Sequence, residues 1–262
     1  MSLINVNTAT FDGVDLATIS GLTILSTNPY KLPKRTLSSY VLARANKTKN
    51  NSAFYTDRNI EVRVGITRAT RDLLETSIDS LNRILQGLEK PLILKQSNGL
   101  RKYYCTFSSA QAKEDGGSYI ELSLMFDCSD SFGYDTADTL LTAWSAVTGN
   151  YRTDTLDVGG SADWQAPVIT RTYSSITSDG TDKDVVIGNG ATGAAITISR
   201  IWATNDVLEV DCYNRTVKVN GVEVLFSGGF PEFAPGVGYL TYSDQFTART
   251  YSGQAVYAKR WV

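Results

Sequence analysis

The chain of 262 residues contains no histidine. That removes the side chain most often used as a general base near neutral pH and as a nitrogen ligand to metals. Ser-His-Asp and Cys-His catalytic arrangements therefore cannot be built from it. Cysteine is scarce too: Cys105, Cys128 and Cys212 are odd in number and form no Cys-x-x-Cys pair, so they read as small buried hydrophobes. A Cys105–Cys128 bridge is conceivable only if the strands carrying the two residues are neighbours. No apolar run is long enough for a membrane-spanning helix, which needs about 18 residues or more. The opening MSLINVNTATFDGVD has no basic-then-apolar secretion signal. Accordingly, the Asn-x-Ser/Thr triplets at Asn46, Asn50 and Asn214 read as chance. A strong net charge is also missing. The 25 Lys and Arg against 27 Asp and Glu give −2, too little to draw the chain towards nucleic acid or acidic membranes.

What charge there is lies unevenly. Residues 1–133 hold 16 basic against 13 acidic residues (+3), and residues 134–262 hold 9 against 14 (−5). Length and this asymmetry fit two units, with the boundary near 134–150, set here as 1–140 and 141–262. Most of the chain reads as strand. Ile60, Val62, Val64 and Ile66 alternate strictly with polar residues, the period of a strand with one buried and one wet face. The polar stretch RANKTKNN (44–51) reads as the tip of a protruding hairpin arm spanning 36–58. One amphipathic helix is predicted over 69–88. Its stripe is Leu74, Ile78, Leu81, Leu85 and Leu88, widened by Leu73 and Ile84. Thr70 is its expected N-cap, and Gly87 and Pro91 its stop. A second, short helix around 136–147 is considered. Beyond it come short strands at 165–177, 184–188, 194–200, 206–212, 215–219, 222–226, 237–243 and 254–262, separated by turn-forming residues such as Asn220-Gly221. That spacing indicates a β-sandwich or jelly roll. The fold class is thus mainly β with one amphipathic helix.

Candidate chemistry is thin. GNGATGAA (188–195) lacks the Lys-Ser/Thr ending of a phosphate loop and reads as a β-turn. The acidic loop SDGTDKD lacks EF-hand spacing and reads as a solvated turn. Glu209 and Asp211 share a strand face about 7 Å apart, without the features of a glycosidase pair. Trp164, Trp202 and Tyr213 are candidate glycan contacts, alongside Tyr173, Tyr239, Tyr242 and Trp261, with core or rim packing as the other reading. No enzyme activity, cofactor or metal is expected.

Two stretches carry a family resemblance. NIEVRVGITRATRDLLETSIDSLNRILQGLEKPLIL (59–94) places a strand ending in Gly ahead of a helix with an Ile78-Asp79-x-Leu81 core. DVLEVDCYNRTVKVNGVEVLFSGGFPEFAPGVGYLTY (206–242) runs strand, turn, TVxxNG, an aromatic-Pro loop and a last strand. In order and spacing they resemble the distal tail protein family of long-tailed bacteriophages, the siphophage tail components. Over residues 1–58 only the layout matches. The resemblance implies an N-terminal β-sandwich or split-barrel belt domain that forms a homohexameric ring and a C-terminal galectin-like or jelly-roll-like sandwich. It implies a virion component at the tail tip, made in the host cytoplasm. Its expected partners are further copies of itself, the tail tube, tail hub and tape measure proteins, and receptor-binding proteins, with DNA only passing through the channel and no membrane contact. The alternative function is a lectin-like module for host surface glycans. In this frame Arg44, Lys47 and Lys49 of the arm, with Ile60, Val62 and Val64, are the expected contacts between copies. Phe226, Phe230 and Phe233, set in a loop of glycines and prolines, are expected to cover an open end of the sandwich.

Overall fold

The structure, a computed structural model, describes residues 8–28, 35–42, 47–56, 58–96, 99–177 and 180–262, and for 35–42 and 47–55 the backbone alone. Its contacts divide the chain into a unit ending at Thr136 and a unit from Ala137 to Trp261.

The N-terminal unit is built on β1 (Ala9–Phe11), β2 (Val14–Asp15), β3 (Leu22–Asn28), β4 (Arg35–Leu42), β5 (Lys47–Tyr55), β6 (Arg58–Thr67), α1 (Arg71–Ile84), β7 (Lys90–Gln96), β8 (Gly99–Asp115), β9 (Tyr119–Cys128) and β10 (Gly133–Asp135). Its main sheet runs β2-β1-β7-β8-β9-β6-β3, with β10 paired to β8. The period-two pattern of β6 sets the core. Ile60, Val62, Val64 and Ile66 are fully buried and stand opposite Phe126, Leu124, Leu122 and Ile120 of β9. Ladders of facing apolar pairs are the stabilising unit of an antiparallel sheet. Ile60, Val62 and Val64 therefore line the core of their own unit and offer no surface to another copy. Alternation marks which face is buried, but not which body buries it.

The helix is shorter than its pattern predicts. Thr70 caps it, its side chain accepting from the Leu73 N–H, and it closes with the Leu85 N–H donating to the Leu81 carbonyl. Leu74, Leu81 and Leu85 are buried in the core, with Ile78 and Ile84 packed at its margin. Leu88, past the helix end, is exposed, as is Leu73. Each buried leucine contributes roughly 1.5–3 kcal/mol by leaving water. The Ser77 hydroxyl donates to the Ser20 carbonyl and pins the helix to the loop before β3.

The C-terminal unit has β11 (Thr139–Val147), β12 (Tyr151–Val158), β13 (Val168–Ile176), β14 (Lys183–Asn189), β15 (Ala195–Arg200), β16 (Val207–Asp211), β17 (Thr216–Val219), β18 (Val222–Glu223), β19 (Ser227–Gly228), β20 (Gly236–Asp244) and β21 (Arg249–Tyr257). These form two sheets, β11-β21-β13-β16-β17-β18 and β12-β20-β14-β15-β19. The inward residues of both merge in one hydrophobic core, as in a β-sandwich.

Three local expectations are corrected here. Residues 139–147 are the edge strand β11, not a helix. Pairing with β21 supplies the backbone hydrogen bonds, and Trp144 turns inward to donate its indole N–H to Asp154. Strand β12 escaped the sequence reading because only Asp154, Leu156 and Val158 of its residues face inward. Finally, the strand expected over 222–226 leaves its sheet after Glu223.

Candidate functional site

The arm is a two-stranded ribbon. Strands β4 and β5 pair from Arg35↔Tyr55 to Leu42↔Lys47, with an irregularity at Ser38/Ser39. Among the described strands they pair only with each other. Lys49 stands opposite Tyr40 and Lys47 opposite Leu42, whereas Arg44 lies outside the described residues.

The phenylalanine loop links the two sheets of the sandwich. Asn220 and Gly221 both take positive φ (54° and 79°), the type I′ geometry that joins β17 to β18. The chain then leaves the first sheet and reaches the second, where β19 pairs with Ile196 and Thr197. Phe226, 39% exposed, sets its ring edge-on to Phe230 at 5.0 Å, and Phe230 packs against the core margin. Phe233 is 1% exposed. It exchanges backbone hydrogen bonds with Gln165 (2.7 and 2.9 Å), and the Asn189 side-chain amide donates to the Glu232 carbonyl beside it. The three rings thus grade from surface to interior. Beside this crossover lies a groove of about 700 Å³, walled by Ile198, Ile201, Val219, Val222, Val224 and Leu225 together with Asp182 and Arg200.

Of the three candidate glycan contacts, Trp202 is corrected. It is 1% exposed, its ring packs edge-on against Tyr173 and Phe246, and its indole N–H donates to the Lys183 carbonyl. Its sequence neighbours, Ile201 and Ala203, are both exposed, so local pattern could not place it inside. Trp164 and Tyr213, by contrast, are 45% and 49% exposed. Arg260 brings them together. Its guanidinium donates to the Trp164 carbonyl at 3.2 Å and lies 5.7 Å from the Tyr213 ring centre.

Glu209 and Asp211 are committed to structure. Asp211 accepts from the Tyr213 and Asn214 backbone N–H groups and the Asn214 amide, and Glu209 pairs with Lys218. No cluster of three or more His, Cys, Asp or Glu suited to a metal occurs among the described residues.

Sequence reading missed a polar aromatic centre between the sheets. Arg171 alternates with Ile169 and Tyr173, so the strand period puts it on the inner face. It is 1% exposed, and none of its three guanidinium nitrogens has a hydrogen-bond partner. Instead its guanidinium lies 4.2 Å from the Trp144 ring centre, 4.0 Å from Tyr242 and 4.6 Å from Tyr251. Gly253, directly opposite Arg171 on β21, allows the close approach, since a Cβ there would stand 2.1 Å from the Thr170 carbonyl oxygen. Desolvated cation–π contacts contribute about 2 kcal/mol each, set against several kcal/mol for burying the charge. The Tyr173 and Tyr242 hydroxyls meet at 3.3 Å, and burial pushes both phenols up, out of reach of acid–base work near neutral pH. The site therefore joins the two sheets. We expect Arg171→Met to leave the unit as stable as before or to stabilise it by about 1–4 kcal/mol, as replacement of buried ionic groups by apolar ones often does. Arg171→Lys should weaken it, because an ammonium cannot cover three ring faces. A clear loss of stability in chemical denaturation of Arg171→Met would contradict this.

Residues 165–261 match the family model of the siphovirus-type tail component, C-terminal domain. No curated protein sequence matches the chain significantly. Among solved structures, the Dit protein of phage SPP1 is described as a paradigm of the hub adsorption apparatus in phages that infect Gram-positive bacteria. It superposes with a TM-score of 0.72 at 18% identity, covering 98% of this chain and 100% of that one. Chains of the phage P2 baseplate in its activated conformation, in calcium and strontium forms, are 9% identical over 96% of this chain and 98% of theirs, with a TM-score of 0.44. Residues 165–261 thus match the C-terminal domain of siphovirus-type tail components, on a chain that shares its fold with SPP1 Dit.

Proposed function

We propose that this chain is a structural component of a phage tail tip. Six copies would form a ring through their N-terminal units, joining the tail tube to the hub and receptor-binding apparatus. The observation that carries the reading is the fold correspondence with SPP1 Dit along the full length of both chains, combined with the tail-component family match over 165–261. Tail tube, hub and tape measure proteins are the partners this implies, with the virion tail as its place and no catalytic step. The β4–β5 ribbon supports it. A ribbon whose strands, among the described strands, pair only with each other presents two edges of N–H and C=O groups, a template for a strand of a second chain. Mass photometry of the full chain should show particles of about six times 28.6 kDa. Deleting residues 44–51 should leave smaller species. A full-length protein that stays monomeric at micromolar concentration would sink the ring, whereas a deletion variant that still assembles would sink only the clasping role of the ribbon.

A second reading, glycan binding by the C-terminal sandwich, is favoured by one observation: the exposed Tyr213 ring lies beside the Arg260 guanidinium, which also holds the backbone of the exposed Trp164. An exposed aromatic ring beside a guanidinium, with an exposed tryptophan held through its backbone by the same arginine, suits contact with sugar rings. Titration of cell-wall oligosaccharides followed by tryptophan fluorescence should then saturate for the native chain and lose at least about tenfold in affinity, roughly 1.4 kcal/mol, in Trp164→Ala. An unchanged affinity would remove this surface from consideration.

A further inference from the structure

We propose that Cys105 and Cys128 are a built disulfide site that staples β8 to β9 when the protein meets a small disulfide oxidant. The two residues are register partners on adjacent antiparallel strands. The neighbouring pair Tyr104/Ser129 is the hydrogen-bonded one, since the Ser129 N–H donates to the Tyr104 carbonyl at 3.1 Å. Antiparallel pairs alternate, so Cys105 and Cys128 occupy a non-hydrogen-bonded pair, where Cα atoms come within about 4.5 Å and side chains are closest. That separation lies inside the usual disulfide range of about 4.4–6.8 Å. Both side chains belong to the same buried core and stand side by side across the two strands.

Both cysteines are free thiols in this structure. The adjoining Cys128 thiol and burial push the Cys105 thiol up, so the pair resists casual oxidation. Access comes from the Cys128 side. Cys128 is the last residue of β9, keeps 4% of its surface exposed, and precedes the exposed Ser129. The chemistry is ordinary exchange with oxidised glutathione. The Cys128 thiolate attacks one glutathione sulfur and expels the other glutathione as its thiolate. The Cys105 thiolate then attacks the Cys128 sulfur and expels the second glutathione. The two protein thiols lose two protons and two electrons, and one glutathione disulfide becomes two glutathione thiols. Cys212, 1% exposed in the sandwich core with no cysteine partner, stays a thiol. The inference stands independently of the tail-tip reading.

The test incubates the folded full chain with oxidised glutathione, at a temperature just below melting so that strand ends open. Intact mass should fall by two hydrogens, and a digest should contain one peptide linked through Cys105 and Cys128. The helical circular-dichroism band reports on the N-terminal unit, which holds α1, the only α-helix among the described residues. Its melting should rise by roughly 5–10 °C and return on reduction. Tryptophan melting of the C-terminal unit should not move. Cys128→Ala should abolish both the mass loss and the shift. Two thiols that still alkylate after this treatment and unfolding would overturn the proposal. So would a persistent single-glutathione adduct, which would mean that the second sulfur is out of reach.

Discussion

Phe233→Ala lowers the stability of the C-terminal unit by about 3–5 kcal/mol, the usual cost of removing a fully buried phenylalanine ring. The ring is closed in on several sides. It packs in the sandwich core, and a Cβ on Gly238 would stand only 3.0 Å from it, so β20 runs close against its face. Its backbone is held by Gln165 on one side, and the Asn189 amide donates to the preceding carbonyl, that of Glu232. With so many anchors, the surroundings cannot collapse into the space left by truncation, and the larger end of the range applies. Phe226→Ala, by contrast, removes a half-exposed ring and should cost less than about 1 kcal/mol, with Phe230→Ala between the two. The measurement is clean because Trp144, Trp164, Trp202 and Trp261, all four tryptophans of the chain, lie in the C-terminal unit. Tryptophan fluorescence during denaturation thus reports that unit alone. Equal losses for Phe233→Ala and Phe226→Ala would contradict the grading from interior to surface.

The second large effect is expected at Asp244. Its carboxylate accepts from the Tyr242 hydroxyl at 2.7 Å and the Phe246 N–H at 2.8 Å, and it pairs with the Arg249 guanidinium at 2.8 Å. Both side chains of that pair are almost wholly out of water. Burial pushes the Asp244 carboxyl up from the ordinary aspartate range, against the pull of these three donors. Formation of the pair thus contributes little net stability, but removal of one member strands the other. Asp244→Ala leaves the Arg249 charge buried, with only the Thr148 and Phe246 carbonyls as acceptors, and should cost about 3–5 kcal/mol. Asp244→Asn keeps one acceptor oxygen and the side-chain shape, and should lose less. The same fluorescence melt reads both. A loss under about 1 kcal/mol for Asp244→Ala would show that Arg249 finds water instead, and would contradict its placement inside the sandwich.

The legible parts of this fold are those with a strong local period. The alternation of residues 60–66 marked β6, and the spacing from Leu74 to Leu85 marked α1 and its inner face, because strand and helix geometry impose those periods on any amphipathic segment. Asn220-Gly221 announced its hairpin because few residue pairs tolerate two left-handed conformations in a row. Legibility failed where a segment takes its structure from distant partners. Strand β11 carries a weak helical pattern, and only β21, more than 100 residues later, makes it a strand. For the same reason the candidate glycan contacts were only half readable. Trp164, Trp202 and Tyr213 look alike as aromatics in the sequence, yet only the packing of the two sheets buries Trp202 and leaves the other two exposed.

By itself, the chain of residues determined a mainly β protein with one surface helix, two differently charged halves and no means for histidine chemistry, since composition and local periodicity need no third dimension. Tertiary structure alone decided that Ile60, Val62 and Val64 face inward to their own unit, that Phe233 is core while Phe226 is surface, and that Arg171 rests among three aromatic rings. A strand pattern states that one face avoids water. What covers that face is settled by contacts between residues far apart in the chain, and these exist only once the sheets have closed on each other.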